Sequence, residues 1–161
     1  MGTRSGDIDP SAMEFIAKKE NLDMAGILNV LNKESGVEGL SGVSSDFRDL
    51  EKAAKEGNER AQIAREVFVH RVLKYIGGYV AVMNGVDVIC FTAGLGENDG
   101  LIRQMICKNL EYLGIHIDGE ANKVRGEEKV ISTPDSKVTV LAVPTNEELA
   151  ICRETVAILK K

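Results

Sequence analysis

The stretch VDVICFTAGLGEN, residues 86–98, decides how the rest of the chain is read. Its first seven residues, VDVICFT, form a β-branched run that suits a buried strand. AGLGEN then turns the chain, with Gly94 and Gly96 letting the backbone approach a neighbour closely. A helix is predicted over about 98–113, with Asn98 as its N-cap. Leu101, Ile102, Met105, Ile106, Leu110 and Leu113 line one face, and Gly114 stands just past the end. A second unit of the same kind follows. VTVLAV, 138–143, reads as a buried strand running into Pro144. Thr145 and Glu148 have capping-box spacing for a last helix over 146–160, ending in Lys160 and Lys161. Two strand–turn–helix units imply an α/β layer architecture with parallel strands.

Upstream, the pattern is helical. Asp9 and Pro10 read as N-cap and first residue of a helix, and Leu22, Ala25, Leu28 and Leu31 mark a second over 22–34. SGVEGLSGVSS, 35–45, reads as a loop, with Ser45 capping the next helix and Gly57 ending it. A long helix over 58–84 carries Val72, Leu73, Ile76, Val80 and Met83, apolar on most sides, which predicts a central place in the core. Gly77 and Gly78 within it predict a close neighbour. Residues 115–133 read as a short β excursion, and 132–135 as a turn. Four helices before the first confident strand leave the sheet short of strands. The opening MGTRSGDIDP is loop-like, an unusual way for a domain to start.

Composition narrows the classes of function. The chain has 161 residues, the length of one domain, and 43% hydrophobic residues, enough for a core. Its net charge of -5 gives no support to nucleic-acid binding, which needs a basic patch. Cys90, Cys107 and Cys152 form no CxxC pair, which points to a reducing compartment. Two histidines, His70 and His116, do not support a structural zinc site. MGTRSG misses the N-myristoylation pattern at Gly6, and no leader pattern is visible. Charges interrupt the apolar stretch over 61–83, so it does not read as membrane-spanning. The expectation is a soluble, cytoplasmic protein.

Several segments can carry chemistry. FTAGLGEN, 91–98, lies where open α/β sheets bind ligands, beyond a strand's carboxyl end. The spacing G-x-G-x-x-x-G is neither the dinucleotide fingerprint nor a P-loop, and a plain turn explains it equally well. Glu147 could hold Mg²⁺ directly or through water; a first-turn acid favoured by the helix dipole is the plainer reading. Arg4, between Thr3 and Ser5, has the fork geometry that matches phosphate oxygens, although many loop arginines are only solvated. In SSDFR, 44–48, Ser45 and Asp46 read as caps and Arg48 as a solvated charge. No Ser/His/Asp or Cys/His arrangement suggests a nucleophilic hydrolase.

Taken together, MGTRSGDIDP, GVSSDFRDL, FTAGLGEN, NKVRGEEKVISTPDSKV and VPTNEE resemble, in order and spacing, the acetate kinases of the acetokinase family. The resemblance runs along nearly the whole chain and is closer than that to butyrate or propionate kinases. It implies membership of the superfamily of acetate and sugar kinases, heat-shock proteins and actin. The implied fold is a partial actin-like, ribonuclease H-like α/β domain, with helices packed on a short, mostly parallel sheet and its first strands upstream. The implied activity is reversible, Mg²⁺-dependent transfer of the γ-phosphoryl group of ATP to acetate, giving acetyl phosphate and ADP, in a homodimer.

Residue by residue, the resemblance implies that Arg4 stabilises the transferring phosphoryl group. It places Asp46, Phe47 and Arg48 near the adenosine and makes Gly94, Leu95, Gly96, Glu97 and Asn98 a nucleotide-binding loop. It makes Glu147 the glutamate associated with Mg²⁺. A family member is much longer, so residues 1–161 are expected to be its C-terminal, nucleotide-side domain. The catalytic aspartate, a further arginine, the transition-state histidine, the phosphate loop and the acyl pocket would lie upstream. Such a chain is expected to be inactive alone. The alternatives are a non-catalytic module that binds adenine nucleotide or dimerises, or a propionate kinase relative. Gly100 departs from good helix-forming sequence and is expected to loosen the turn after Asn98.

Overall fold

A computed structural model describes residues 1–160. They form two compact units, Met1–Val72 and Leu73–Lys161, with one long helix in both.

The first unit is helical: α1 (Pro10–Glu20), α2 (Met24–Lys33), α3 (Gly36–Ser41), α4 (Phe47–Lys55) and the first half of α5 (Glu59–Met83). Asp9 caps α1 as expected, its carboxylate accepting from the Ser11 amide at 2.8 Å. Asp23 caps α2 by accepting from the Gly26 amide. The expected loop over 35–45 instead contains α3. The amides of Val37 and Glu38, which a short helix leaves without internal partners, donate to the carbonyls of Met1 and Gly2 at 3.0 Å. Gly36 makes the approach possible. Its φ is +62°, and a Cβ there would stand 2.5 Å from the Met1 carbonyl oxygen. Ser5 and Ser35 continue this pairing through Leu31 and Thr3, so backbone contacts with α2 and α3 fix the opening residues. α4 starts one residue later than Ser45 capping would give. Asp46 is the cap, because its longer side chain reaches the Arg48 amide at 2.8 Å. Gly57, at φ +93°, stands after the end of α4 as expected.

Val37, Leu50, Ala61 and Ala64 form the core of this unit, with Phe47 and Phe68 against it in an edge-to-face pair, centroids 4.7 Å apart.

In the second unit, β1 (Val88–Phe91) pairs in parallel with β3 (Thr139–Ala142), and β2 (Lys129–Val130) pairs antiparallel on the other side of β3. The order β1-β3-β2 gives the expected mixed α/β sheet with a parallel pair. Only β3 is central, and its Val140 and Ala142 are fully buried. β1 was expected to be buried too, but it is an edge strand, and Val88 is 51% exposed. A β-branched run is apolar enough for a central position, but burial needs a neighbour on each side. α7 (Gly100–Lys108) contributes buried Ile102, Ile106 and Cys107.

The second half of α5 does not form the core as expected. Tyr79, Val82 and Met83 are mostly exposed, and there is open space beside Gly77 and Gly78. An apolar sequence makes a helix ready for burial but does not supply the surface that buries it. α8 (Glu147–Leu159) is exposed along its described length. Lys160 is its C-cap residue, and Lys161 lies outside the described residues. Among the described residues, no helix is long and apolar enough to cross a membrane.

Leu50→Ala should lower the unfolding free energy of the first unit by about 2–5 kcal/mol, the usual result of leaving a cavity at a fully buried leucine. Urea titration followed by circular dichroism checks this; a change below about 1 kcal/mol would mean that Leu50 is not a core residue.

Candidate functional site

The segments singled out in the sequence meet in pairs, one pair in each unit. In the first unit, the opening loop lies against the segment before α4. A Cβ on Gly2 would be 3.2 Å from the Ser45 Cβ. Arg4 is exposed and lines a cleft of about 380 Å³ together with Arg71, Glu34, Ser35, Val37 and Phe68. Arg71 of α5 was not anticipated, because in the sequence it only interrupts an apolar run. Its Nη2 donates to Asp7 at 2.8 Å. Gly6, at φ +72°, leaves room for the guanidinium, since a Cβ there would be 2.8 Å from Nη2. The cleft is thus lined by two guanidinium groups, which suits an anion.

Asp46 and Arg48 bond to each other across the start of α4. Arg48 Nε donates to both Asp46 oxygens at 3.1 Å. With the Arg48 backbone amide, this guanidinium holds the Asp46 carboxyl down at about 2. Phe47 packs on Phe68 and belongs to the core cluster. Any ligand-facing role for Phe47 therefore uses only the part of the ring left open.

In the second unit, AGLGEN is not a loop before a helix. It is itself a short helix, α6 (Ala93–Asn98), and Asn98 is not an N-cap. Asp99 caps α7 instead, accepting from the Ile102 amide at 2.9 Å, while the Asn98 side-chain amide donates to the Gly94 carbonyl. The helix opens on Ala93 at φ +59°, a left-handed conformation that disfavours alanine. Gly96 is pressed onto the end of β1, where a Cβ would stand 3.1 Å from the Phe91 carbonyl carbon. Gly94 is exposed with open space beside it.

Thr145 is not a cap either. Its amide and hydroxyl both donate to Glu97 Oε1, at 2.8 and 3.0 Å, and Asn146 caps α8. These bonds join the turns that follow the two parallel strands, the place where open α/β sheets bind ligands. Glu147 follows as an exposed carboxylate at the start of α8. Among the described residues, no group of three or more His, Cys, Asp or Glu is placed to hold a metal. A single carboxylate fits Mg²⁺ where water and phosphate oxygens fill the remaining positions.

Gly100 does not loosen its turn. A Cβ there would meet the Asn122 carbonyl oxygen at 2.6 Å, so glycine permits close packing. Sequence reading also missed Arg103, which is fully buried and bonded to Gly96, Asn122 and Val124. Cys107 is buried, and desolvation pushes its thiol up to about 12, which makes it unreactive at neutral pH. Cys90 and Cys152 are exposed free thiols.

A family described as the acetokinase family matches residues 1–153. The chain belongs to the acetokinase family. Acetate kinase from Agathobacter rectalis is 68% identical over 160 residues, covering 99% of this chain and 40% of that protein. The crystal structure of Porphyromonas gingivalis acetate kinase matches with a TM-score of 0.92 at 51% identity, covering 99% of this chain and 40% of that one. The structure of a propionate kinase from Francisella tularensis matches with a TM-score of 0.84 at 39% identity, covering 92% and 38%. This acetokinase-family chain spans about 40% of the length of the curated relatives it matches and corresponds to a C-terminal part of them. Its mixed α/β architecture is that of an actin-like fold.

The Asp46 shift sets a pH dependence. Its folded value of about 2 lies below the ordinary 3.8, so its contribution is present above the ordinary value and is lost as pH falls through about 2. A carboxyl-carbon NMR titration should give a midpoint of about 2, and Arg48→Ala should raise it. An Asp46 midpoint near 3.8 in the unaltered protein would contradict the pairing.

Proposed function

We propose that this chain is the nucleotide-side part of an acetate kinase, which transfers the γ-phosphoryl group of ATP to acetate reversibly, with Mg²⁺. The observation that carries the reading is the 68% identity to a curated acetate kinase along almost the whole chain. Phosphoryl transfer needs positioning and charge stabilisation more than covalent chemistry. Arg4 offers a guanidinium for the transferring group. Asp46, Phe47 and Arg48 face the adenosine part, and Gly94, Leu95, Gly96, Glu97 and Asn98 receive the nucleotide. Glu147 would hold Mg²⁺, which would supply charge neutralisation.

On this reading the acyl pocket and the remaining charge-stabilising groups lie outside residues 1–161. The chain alone binds Mg-ADP and does not turn over. The complete enzyme is a cytoplasmic homodimer. A second reading, a non-catalytic module that self-associates, draws on the exposed apolar residues of α5, β1 and α8.

Isothermal titration and a hydroxylamine assay for acetyl phosphate test the nucleotide-side reading. The expected results are Mg-ADP binding, no acetyl phosphate from ATP and acetate, and a loss of Mg²⁺-dependent affinity in Glu147→Gln with Mg²⁺-free ADP binding kept. Absence of ADP binding would contradict the nucleotide-side reading and leave only self-association. Acetyl phosphate formation at the rate of a full-length enzyme would overturn the claim that the chain lacks its acyl site.

A further inference from the structure

Arg103 projects from α7 and is fully buried. Among the described residues, its hydrogen bonds go to oxygens of three others and to no carboxylate. Nε donates to Asn122 Oδ1 at 2.8 Å. Nη2 donates to the carbonyls of Asn122 at 2.6 Å and Val124 at 2.9 Å. Nη1 donates to the Gly96 carbonyl at 2.8 Å. Asn122 answers by donating its side-chain amide to the Gly100 carbonyl at 2.8 Å. The guanidinium therefore ties the end of α6 to residues 122–124, and the bare backbone at Gly100 allows those residues to come close.

α6 depends on such ties because it has only six residues, too few for a helix to hold itself. The last carbonyls of any helix lack internal partners. Here Asn98 Nδ2 serves Gly94, the Asp99 amide serves Leu95, and Arg103 serves Gly96. Of the three donors, only Arg103 belongs to another helix and also binds a third segment. It sets where the end of α6 lies relative to the rest of the second unit.

We propose that Arg103 is a positioning residue for α6 and its ligand-facing residues 94–98, acting through the Gly96 carbonyl and touching no ligand itself. The ligand class, an adenine nucleotide, rests on the function proposed above. Asn122 and Gly100 belong to the same device.

The test uses the whole chain with two readouts, amide hydrogen exchange and Mg-ADP titration. Arg103→Lys keeps the charge but loses the fork. It should speed exchange at residues 95–98 by about tenfold or more while β3 amides change by less than about twofold. Mg-ADP affinity should fall about tenfold. Asn122→Ala removes only the bond to Oδ1 and keeps the guanidinium with its three bonds to backbone carbonyls, so it reports even where the lysine variant does not fold. It should give a smaller rise confined to the same residues. Equal acceleration in α6 and in β3 would make Arg103 an ordinary core residue and overturn the proposal, as would no acceleration in α6. Local acceleration in a chain that does not bind Mg-ADP would support the positioning of α6 and sink the nucleotide reading instead.

Discussion

Arg103 places a guanidinium where no water reaches it, and burying such a charge is tolerable only where each donor meets an acceptor. Here the acceptors are chiefly backbone carbonyls, whose places are fixed by the chain itself. Burial pushes the arginine's pKa down, and nearby Asp99 opposes that push. Each charge-assisted hydrogen bond of this kind contributes about 1.5–3 kcal/mol. The stronger consequence is geometric. Arg103 and its partner Asn122 fix together the end of α6, the start of α7 and residues 122–124.

The link between Glu97 and Thr145 extends the constraint to the second strand. Two hydrogen bonds thus join the segments beyond the parallel strands, and Glu147 begins the helix that follows. In the first unit the same principle uses different groups. The amides of α3 hold the opening loop, and Arg71, which lines the cleft with Arg4, bonds to Asp7. Each unit thus presents polar groups on a backbone fixed by buried contacts, the arrangement that preorganised binding requires. The Ala93 conformation fits this pattern, because strained backbone persists only where its surroundings over-determine it.

Much of this was legible in the sequence. The two strands, their parallel pairing and six of the eight helices follow from apolar period and from Asp, Pro and Gly signals at the ends. The five motif segments led to the family, and the family match agrees. What was not legible depends on partners distant in sequence. SGVEGLSGVSS looks like a loop until the carbonyls of Met1 and Gly2 are seen to complete α3. Thr145 has capping-box spacing, yet Glu97 takes its donors from 48 residues away. Arg103 falls among Leu101, Ile102 and Met105 as an ordinary helix charge, and nothing local says that it is buried. Gly100 looked like a weak helix start, and its reason is a carbonyl 22 positions on. The apolar second half of α5 erred in the other direction, since apolar period reports a face suited to burial whether or not a surface covers it.

The proposed nucleotide site is the short helix α6, held by Arg103 and by the bonds from Thr145 to Glu97. An amide NMR titration of the isotopically labelled chain with Mg-ADP tests it most directly. The account predicts saturable shifts at Gly94, Gly96 and Asn98 and at the neighbouring Thr145. Saturable binding with those four resonances unmoved would contradict it.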